Sequence, residues 1–388
     1  MKRLVLCCDG TWNHAVNAQV SNVEKLVRSV VPGQVPGSDD VQVVGYVGGV
    51  GARGYLVDRL LGGAFGYGLT RNVVDGYRFL AMNYAPGDDI VVLGYSRGAY
   101  TARSVVGMIA QVGLLTPESV DAGLLDDAER TYRRRARTGD DAGQAAAARA
   151  KADFKRTHSH DVRVRFLGVY DTVGALGVPG LTRRRSRFHD VTLSSVVDTA
   201  RQGLAIDERR ITFQPCLWSV PDDDVPGRVQ QVWFPGGHGD VGGGSEHAGL
   251  SDVTLTWMAH ELAAVGVVLD EARLARQMCS DPWVLDARPA WYYRVLNAVR
   301  RAVPRYGVVD GRRVFRRGLR VLALPGDDGG WRDRVALADT AVQHVLRDGY
   351  ADRARNLGWW LEEAGGLEAV PTVCVGAAPE DARPPLRT

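Results

Sequence analysis

Short apolar runs alternate with amphipathic stretches along most of this chain. Residues 3–8, 41–47, 90–93, 162–169 and 229–234 are rich in Val, Ile, Leu and aromatic side chains. Each run has the length of a buried strand and is bounded by glycine, proline or aspartate. Between them, apolar positions recur at helical spacing. Residues 70–84 do so through Val73, Val74, Tyr77 and Leu80, until Pro86-Gly87-Asp88 breaks the pattern. The stretch behind Ser96 does so through Ala99, Ala102, Val105, Val106 and Ile109, and residues 193–206 and 252–265 read as further helices. Strands alternating with helices predict an α/β fold, a mostly parallel sheet covered on both faces. In such sheets the chemistry stands beyond the carboxyl ends of the strands.

Two regions depart from this rhythm. Residues 121–160 are rich in Arg, Ala and Asp with few large apolar side chains, which predicts an exposed helical insertion with a loop at 139–143. After residue 270 the alternation fades into mixed aromatic, arginine and glycine segments. The expected organisation is therefore a catalytic domain over 1–270 and a C-terminal lid or capping region over 271–388, packed on the same domain. In that region Tyr292, Val295, Leu296, Val299 and Val303 form one apolar stripe near Trp291, Arg294, Arg300, Arg301 and Arg305. The stripe suits a packed lid helix, or an interfacial helix making peripheral contact with a membrane.

Composition narrows the function classes. A hydrophobic share of 45% with 24% charged residues is that of an ordinary globular protein. The net charge of +3 is too slight to imply a nucleic-acid partner, and the basic runs at 130–137, 183–187 and 312–320 read as solvated arginine faces. Cys7, Cys8, Cys216, Cys279 and Cys374 lack the spacing of a disulfide framework or a zinc site. The apolar run behind Lys2-Arg3 stops at Asp9, too short for a signal peptide, and no run reaches membrane-span length. A cytoplasmic protein is expected, with any export by a signal-independent route. Gly48-Gly49-Val50-Gly51 lacks the Lys-Ser/Thr ending of a phosphate loop, so no cofactor is expected.

The chemistry centres on Ile90-Val91-Val92-Leu93-Gly94-Tyr95-Ser96-Arg97-Gly98-Ala99. A strand running into Gly-x-Ser-x-Gly and then a helix is the nucleophile elbow of α/β-hydrolases, with Gly94 and Gly98 permitting the tight turn. A serine hydroxyl needs a base oriented by a carboxylate, and this fold supplies them in the order Ser, Asp or Glu, His. Asp171, past the 162–169 strand, and His238, past the 229–234 strand and between glycines, fill that order. Asp240 and Asp207, the latter ending the predicted 193–206 helix, are rival carboxylates. A metal reading of His238 and Asp240 with His247 matches no spacing rule. For the developing oxyanion, the backbone N–H of Arg97 is one expected donor and that of Gly10 or Thr11 the second. Asp9 is expected to brace that early loop.

Four motifs together carry a resemblance: Leu6-Cys7-Cys8-Asp9-Gly10-Thr11-Trp12-Asn13; Gly94-Tyr95-Ser96-Arg97-Gly98-Ala99-Tyr100-Thr101-Ala102-Arg103; Tyr170-Asp171-Thr172-Val173; and residues 233–244. Ala205-Ile206-Asp207-Glu208-Arg209-Arg210 and residues 249–258 extend it. The chain resembles the α/β-hydrolase family that includes the catalytic domain of type VI secretion phospholipase effectors. The resemblance spans roughly the first two-thirds of the chain. It implies a lipolytic hydrolase with a triad on Ser96, Asp171 and His238, acting on a lipid or other acyl ester. Where that family often has a histidine before the Ala-Ile-Asp-Glu-Arg-Arg block, this chain has Gln202. A soluble esterase or thioesterase on small acyl substrates, or a hydrolase-fold binding protein without turnover, are the alternative functions.

Overall fold

The structure is a computed structural model describing residues 1–10, 20–49, 62–134, 140–173, 193–210, 213–221, 223–245, 247–278, 308–309, 312–313, 315–326, 330–331 and 334–376. Its main sheet is built from β1 (Lys2–Cys8), β2 (Gly33–Gln34), β3 (Val41–Val47), β4 (Asp89–Tyr95), β5 (Val164–Tyr170), β6 (Val197–Ala205), β7 (Val229–Phe234), β8 (Val335–Ala338) and β9 (Thr372–Val373). These nine strands lie in the order β9-β8-β7-β6-β5-β4-β1-β3-β2. Every pairing is parallel except that of β2 with β3. The helices used below are α1 (Asn22–Ser29), α2 (Gly62–Asn83), α3 (Arg97–Val112), α4 (Asp141–His158), α5 (His238–Gly242), α6 (Gly249–Ala264), α7 (Asp339–Asp348) and α8 (Arg355–Ala364).

Both faces of the central strands are covered, which is why they read as unbroken apolar runs. Leu4, Leu6 and Cys8 of β1 join Val73, Tyr77 and Leu80 of α2 and Ala102 and Val105 of α3 in one core. The alternate residues Val5 and Cys7 pack with Val23 and Leu26 of α1 and Trp257, Met258 and Leu262 of α6 in another. The register then fixes where the chemistry stands. Cys8 pairs with Gly94, Tyr95 with Tyr170, Tyr170 with Gly203 and Ala205 with Phe234, so five strands end along one edge.

Two sequence expectations are corrected. Residues 193–206 do not form a helix; most of them are β6, a central strand. Asp198, Arg201 and Gln202 fall at i, i+3 and i+4, but each meets a partner on a neighbouring strand, loop or helix. Asp198 takes Arg163, Arg201 takes Glu261, and Gln202 joins a buried amide network. Parallel ladders to β5 and β7 decide the matter, since strand context overrides local preference. In the insertion, residues 141–143 of the expected loop are instead the first turn of α4, with the Asp140 carboxylate accepting from Gly143 N–H at 2.8 Å. The insertion helices anchor through Ala128, Tyr132 and Phe154.

Residues past 270 pack on the same sheet. Their loss of alternation suggests a boundary, yet β8 and β9 extend the same sheet, with Val335 opposite Gln231 and Leu337 opposite Trp233. Strands of four and two residues are too short to register as periodicity. A third core joins Leu204, Ile206 and Trp233 to Leu337, Tyr350, Leu357 and Trp360. The apolar stripe at 292–303 lies outside the described residues. No described helix is long and apolar enough to cross a membrane.

Candidate active site

Ser96 sits between β4 and α3 with φ 57° and ψ −118°. This is the left-handed region that a non-glycine residue occupies only when its surroundings impose it. The flanking glycines show how. A Cβ on Gly94 would lie 2.6 Å from Ala99 Cα, and one on Gly98 would lie 2.2 Å from Cys8 O and 2.4 Å from Asp9 O. The elbow therefore closes only because α3 touches the backbone at the end of β1. Ser96 N–H donates to Tyr170 O at 2.9 Å, tying the turn to the end of β5. Arg97 opens α3.

One residue beyond Tyr170, Asp171 also takes a positive φ, 38°. Its Oδ2 lies 2.6 Å from His238 Nδ1, and His238 Nε2 lies 2.7 Å from Ser96 Oγ. The structure thus brings Ser96, His238 and Asp171 into one hydrogen-bonded line. All three are buried, at 5%, 6% and 0% exposure. The imidazole is held between the rings of Tyr95 and Phe213, each 4.9 Å away, and Tyr95 OH donates to His238 O. Burial pulls the His238 imidazole below its ordinary value, against the opposing pull of Asp171.

A residue absent from the expected site completes this line. Arg320, wholly buried, ends a hairpin formed by Phe315–Arg316 and Leu319–Arg320. Its Nη1 donates to Asp171 Oδ1 at 2.7 Å and its Nη2 to Asp171 Oδ2 at 3.0 Å. The same guanidinium donates to Ala205 O and Phe213 O. Ala205 N–H supplies a further bond to Asp171 Oδ1. Burial would raise the Asp171 carboxyl, but Arg320 and His238 outweigh it and hold the group well below the usual carboxylate range. The run at 312–320 is therefore not uniformly solvated: Arg316 and Arg317 are exposed and Arg320 is interior. Its only sequence signal is an arginine set among Leu319, Val321 and Leu322.

The rival carboxylates are engaged elsewhere. Asp207 Oδ2 accepts from Gly236 N–H at 2.9 Å and from Tyr350 OH, and Asp240 Oδ2 accepts from Gly237 N–H at 2.8 Å. Both brace the loop that carries His238. Both ring nitrogens of His238 face Ser96 and Asp171, so the paired ligation with Asp240 is not formed. No cluster of three or more His, Cys, Asp or Glu side chains suited to a metal occurs among the described residues. Asp9 braces its loop by accepting from Ser21, Tyr46 and Gly10 N–H. In that last bond Gly10 N–H donates to Asp9 Oδ1 at 2.6 Å. Thr11 lies outside the described residues. Gln202 bonds Thr172, Gln231 and Cys216 O, fixing the segment that leads from Phe213 to Trp218.

A parallel sheet bearing a strained serine at a strand–helix elbow, with aspartate and histidine at later strand ends, defines an α/β-hydrolase-like protein. The chain belongs to the family described as T6SS phospholipase effector Tle1-like, catalytic domain, which matches residues 2–261. An uncharacterized protein of Saccharomyces cerevisiae is 29% identical over 236 residues, covering 57% of this chain and 33% of the yeast protein. The chain thus spans about a third of that relative's length. Among solved structures, the Tle1 effector bound to the VgrG spike of the type 6 secretion system is 18% identical with a TM-score of 0.32, over 63% of this chain and 51% of that one. An uncharacterized protein from Pseudomonas aeruginosa is 17% identical with a TM-score of 0.40, over 78% and 51%.

Proposed function

We propose that this chain is a serine ester hydrolase of the phospholipase type. The observation that carries the chemistry is the line from Ser96 Oγ through His238 to Asp171, at 2.7 and 2.6 Å, on a buried and strained elbow. Family membership supports a lipid ester as substrate. In acylation, Ser96 Oγ bonds to the ester carbonyl carbon while its proton passes to His238 Nε2. The tetrahedral intermediate collapses, the carbon–oxygen ester bond breaks, and His238 returns the proton to the leaving alcohol. Water then attacks the acyl-enzyme with His238 as base and releases the fatty acid. Asp171 holds the imidazole in the tautomer that accepts from serine, and Arg97 N–H is one donor to the oxyanion.

The test is labelling by a fluorophosphonate probe, located by peptide mass spectrometry. The probe's phosphorus–fluorine bond breaks as the Ser96 Oγ–phosphorus bond forms. Labelling at Ser96 that disappears in Ser96→Ala supports the reading; an unlabelled, folded wild-type protein overturns it. Fatty-acid release from phosphatidylglycerol vesicles then separates a phospholipase from an esterase that turns over only dispersed short-chain esters.

A further inference from the structure

We propose that Arg320 is a positioning residue that fixes the Asp171 carboxylate and offsets its charge, so that the carboxylate orients His238 toward Ser96 without drawing a proton onto the pair. The inference rests on the serine-hydrolase reading above and extends it to a residue beyond the family-matched region, which ends at 261. With Arg320 in place, Asp171 accepts from Ala205 N–H, from both guanidinium nitrogens and from His238, so each oxygen has two partners. The carboxylate cannot turn without breaking several of these at once. The guanidinium is itself anchored by Ala205 O and Phe213 O, and Phe213 is the ring standing edge-on to His238.

Stability alone does not account for a charged pair at 0% exposure on both sides, because apolar residues of similar volume serve as well or better in such positions. Arg320 Nε even remains buried without a partner among the described residues. What the cation does is electrostatic. A buried carboxylate against an imidazole draws a proton onto the pair, and a protonated His238 cannot accept from Ser96. The Arg320 charge opposes that. The other charged and titratable groups facing the pair are engaged with one another: Glu208 with Arg210 on the segment after β6, Asp9 with Ser21 and Tyr46 at the end of β1, Asp207 with Tyr350, and Asp240 with Gly237 N–H. Tyr95, from the end of β4, directs its hydroxyl to His238 O.

The experiment is the rate of fluorophosphonate labelling of Ser96 against pH in full-length wild type, Arg320→Gln and Arg320→Lys. Gln keeps a hydrogen-bond donor without the charge; Lys keeps the charge without the fork. The acid limb should move up by about one unit or more in Arg320→Gln and stay within a few tenths in Arg320→Lys. A folded Arg320→Gln whose profile is lowered at every pH with its limb unmoved would reduce Arg320 to a structural part and overturn the proposal. Should Arg320→Gln not fold, Arg320→Met takes its place with the same two outcomes, and in Arg320→Lys a limb displaced upward by about a unit overturns the proposal. A wild type that does not label at all removes the serine-hydrolase reading and this inference with it.

Discussion

Replacing Asp171 with asparagine separates this site from one in which the orienting carboxylate is only an accessory. Asp171 Oδ2 faces His238 Nδ1 and Arg320 Nη2, and Oδ1 faces Arg320 Nη1 and Ala205 N–H. If the introduced amide places its NH2 at the Oδ2 position, it meets two of these donors, Arg320 Nη2 and His238 Nδ1–H. The imidazole must then switch to the tautomer that cannot accept from Ser96. In the other orientation the NH2 opposes Arg320 Nη1 and Ala205 N–H. Either way Arg320, wholly buried, loses its counter-charge. Breaking one side of a buried ion pair costs about 3–5 kcal/mol, and the wrong tautomer costs on the order of 10⁴ in kcat. Asp171→Asn should therefore lose stability as well as turnover. With an m-value of about 2 kcal/mol/M, the urea midpoint falls by about 2 M. Urea unfolding followed by tryptophan fluorescence, beside kcat on a short-chain ester, reads both effects. The double variant Asp171→Asn/Arg320→Met should recover at least half of the stability and none of the activity. A single variant with an unchanged midpoint, or a double variant no more stable than the single, would refute the argument.

Other substitutions dissect the elbow and the base. Ser96→Ala should keep the wild-type urea midpoint and lose on the order of 10⁴ to 10⁶ in kcat, and His238→Ala should lose nearly as much. Gly98→Ala brings a Cβ to 2.2 Å from Cys8 O, a backbone atom that no rotamer change relieves. It should cost about 1–3 kcal/mol and on the order of 10² in kcat by displacing Ser96. Gly48→Ala, whose Cβ would meet only Tyr46 Cε1 at 3.9 Å among the described residues, is the control. In a kcat/KM pH profile the acid limb should lie below the ordinary imidazole value of about 6.5, because burial lowers His238. Stability carries the same sign: the unfolded chain binds this proton more tightly, so stability rises with pH from the folded His238 value up to about 6.5. The Asp171 contribution is complete above the unfolded carboxylate value of about 3.9 and is lost only as pH falls through its depressed folded value. A limb above about 6.5 in wild type would contradict the burial argument.

The parts legible in the sequence are those whose physics is local. Strands buried on both faces announce themselves as apolar runs, and β3 and β7 match the expected 41–47 and 229–234 residue for residue. The elbow is legible because steric exclusion at Gly94 and Gly98 is a property of one turn. Choosing Asp171 over Asp207 and Asp240 is different in kind. All three stand just beyond strand ends, and only the register of β4 on β5, Tyr95 opposite Tyr170, places Asp171 beside the serine. The misreading of β6 has the converse cause, since polar residues at helical spacing are neutral evidence until their partners across the sheet are known. Where the Gly10 N–H points is likewise not legible, because its bond to the Asp9 carboxylate depends on how the strand end is folded. Arg320 is the least legible residue of all. It lies 149 positions from Asp171, in a run where Arg316 and Arg317 face water.

That distance has a structural logic. Three side chains and one carbonyl of the C-terminal segment reach the edge of the sheet from which Asp171 and His238 project. Arg320 bonds Ala205 O as well as Asp171, Tyr350 OH bonds Asp207, Asn356 Nδ2 bonds Ile206 O at 2.9 Å, and Leu322 O accepts from Trp233 Nε1 at 2.8 Å. These are buried or part-buried polar contacts, where a lost partner costs more than a made bond contributes. Asp207 in turn holds Gly236, two residues before His238, so Tyr350 braces the His238 loop while Arg320 braces the Asp171 carboxylate. The elbow needs none of this, being closed by β1, β4 and α3. Ser96 is thus set by the first half of the sheet, whereas Asp171 and the loop of His238 are held by Arg320, Tyr350 and Asn356. A site divided in this way acquires its working geometry only once the last strands and helices have joined the sheet.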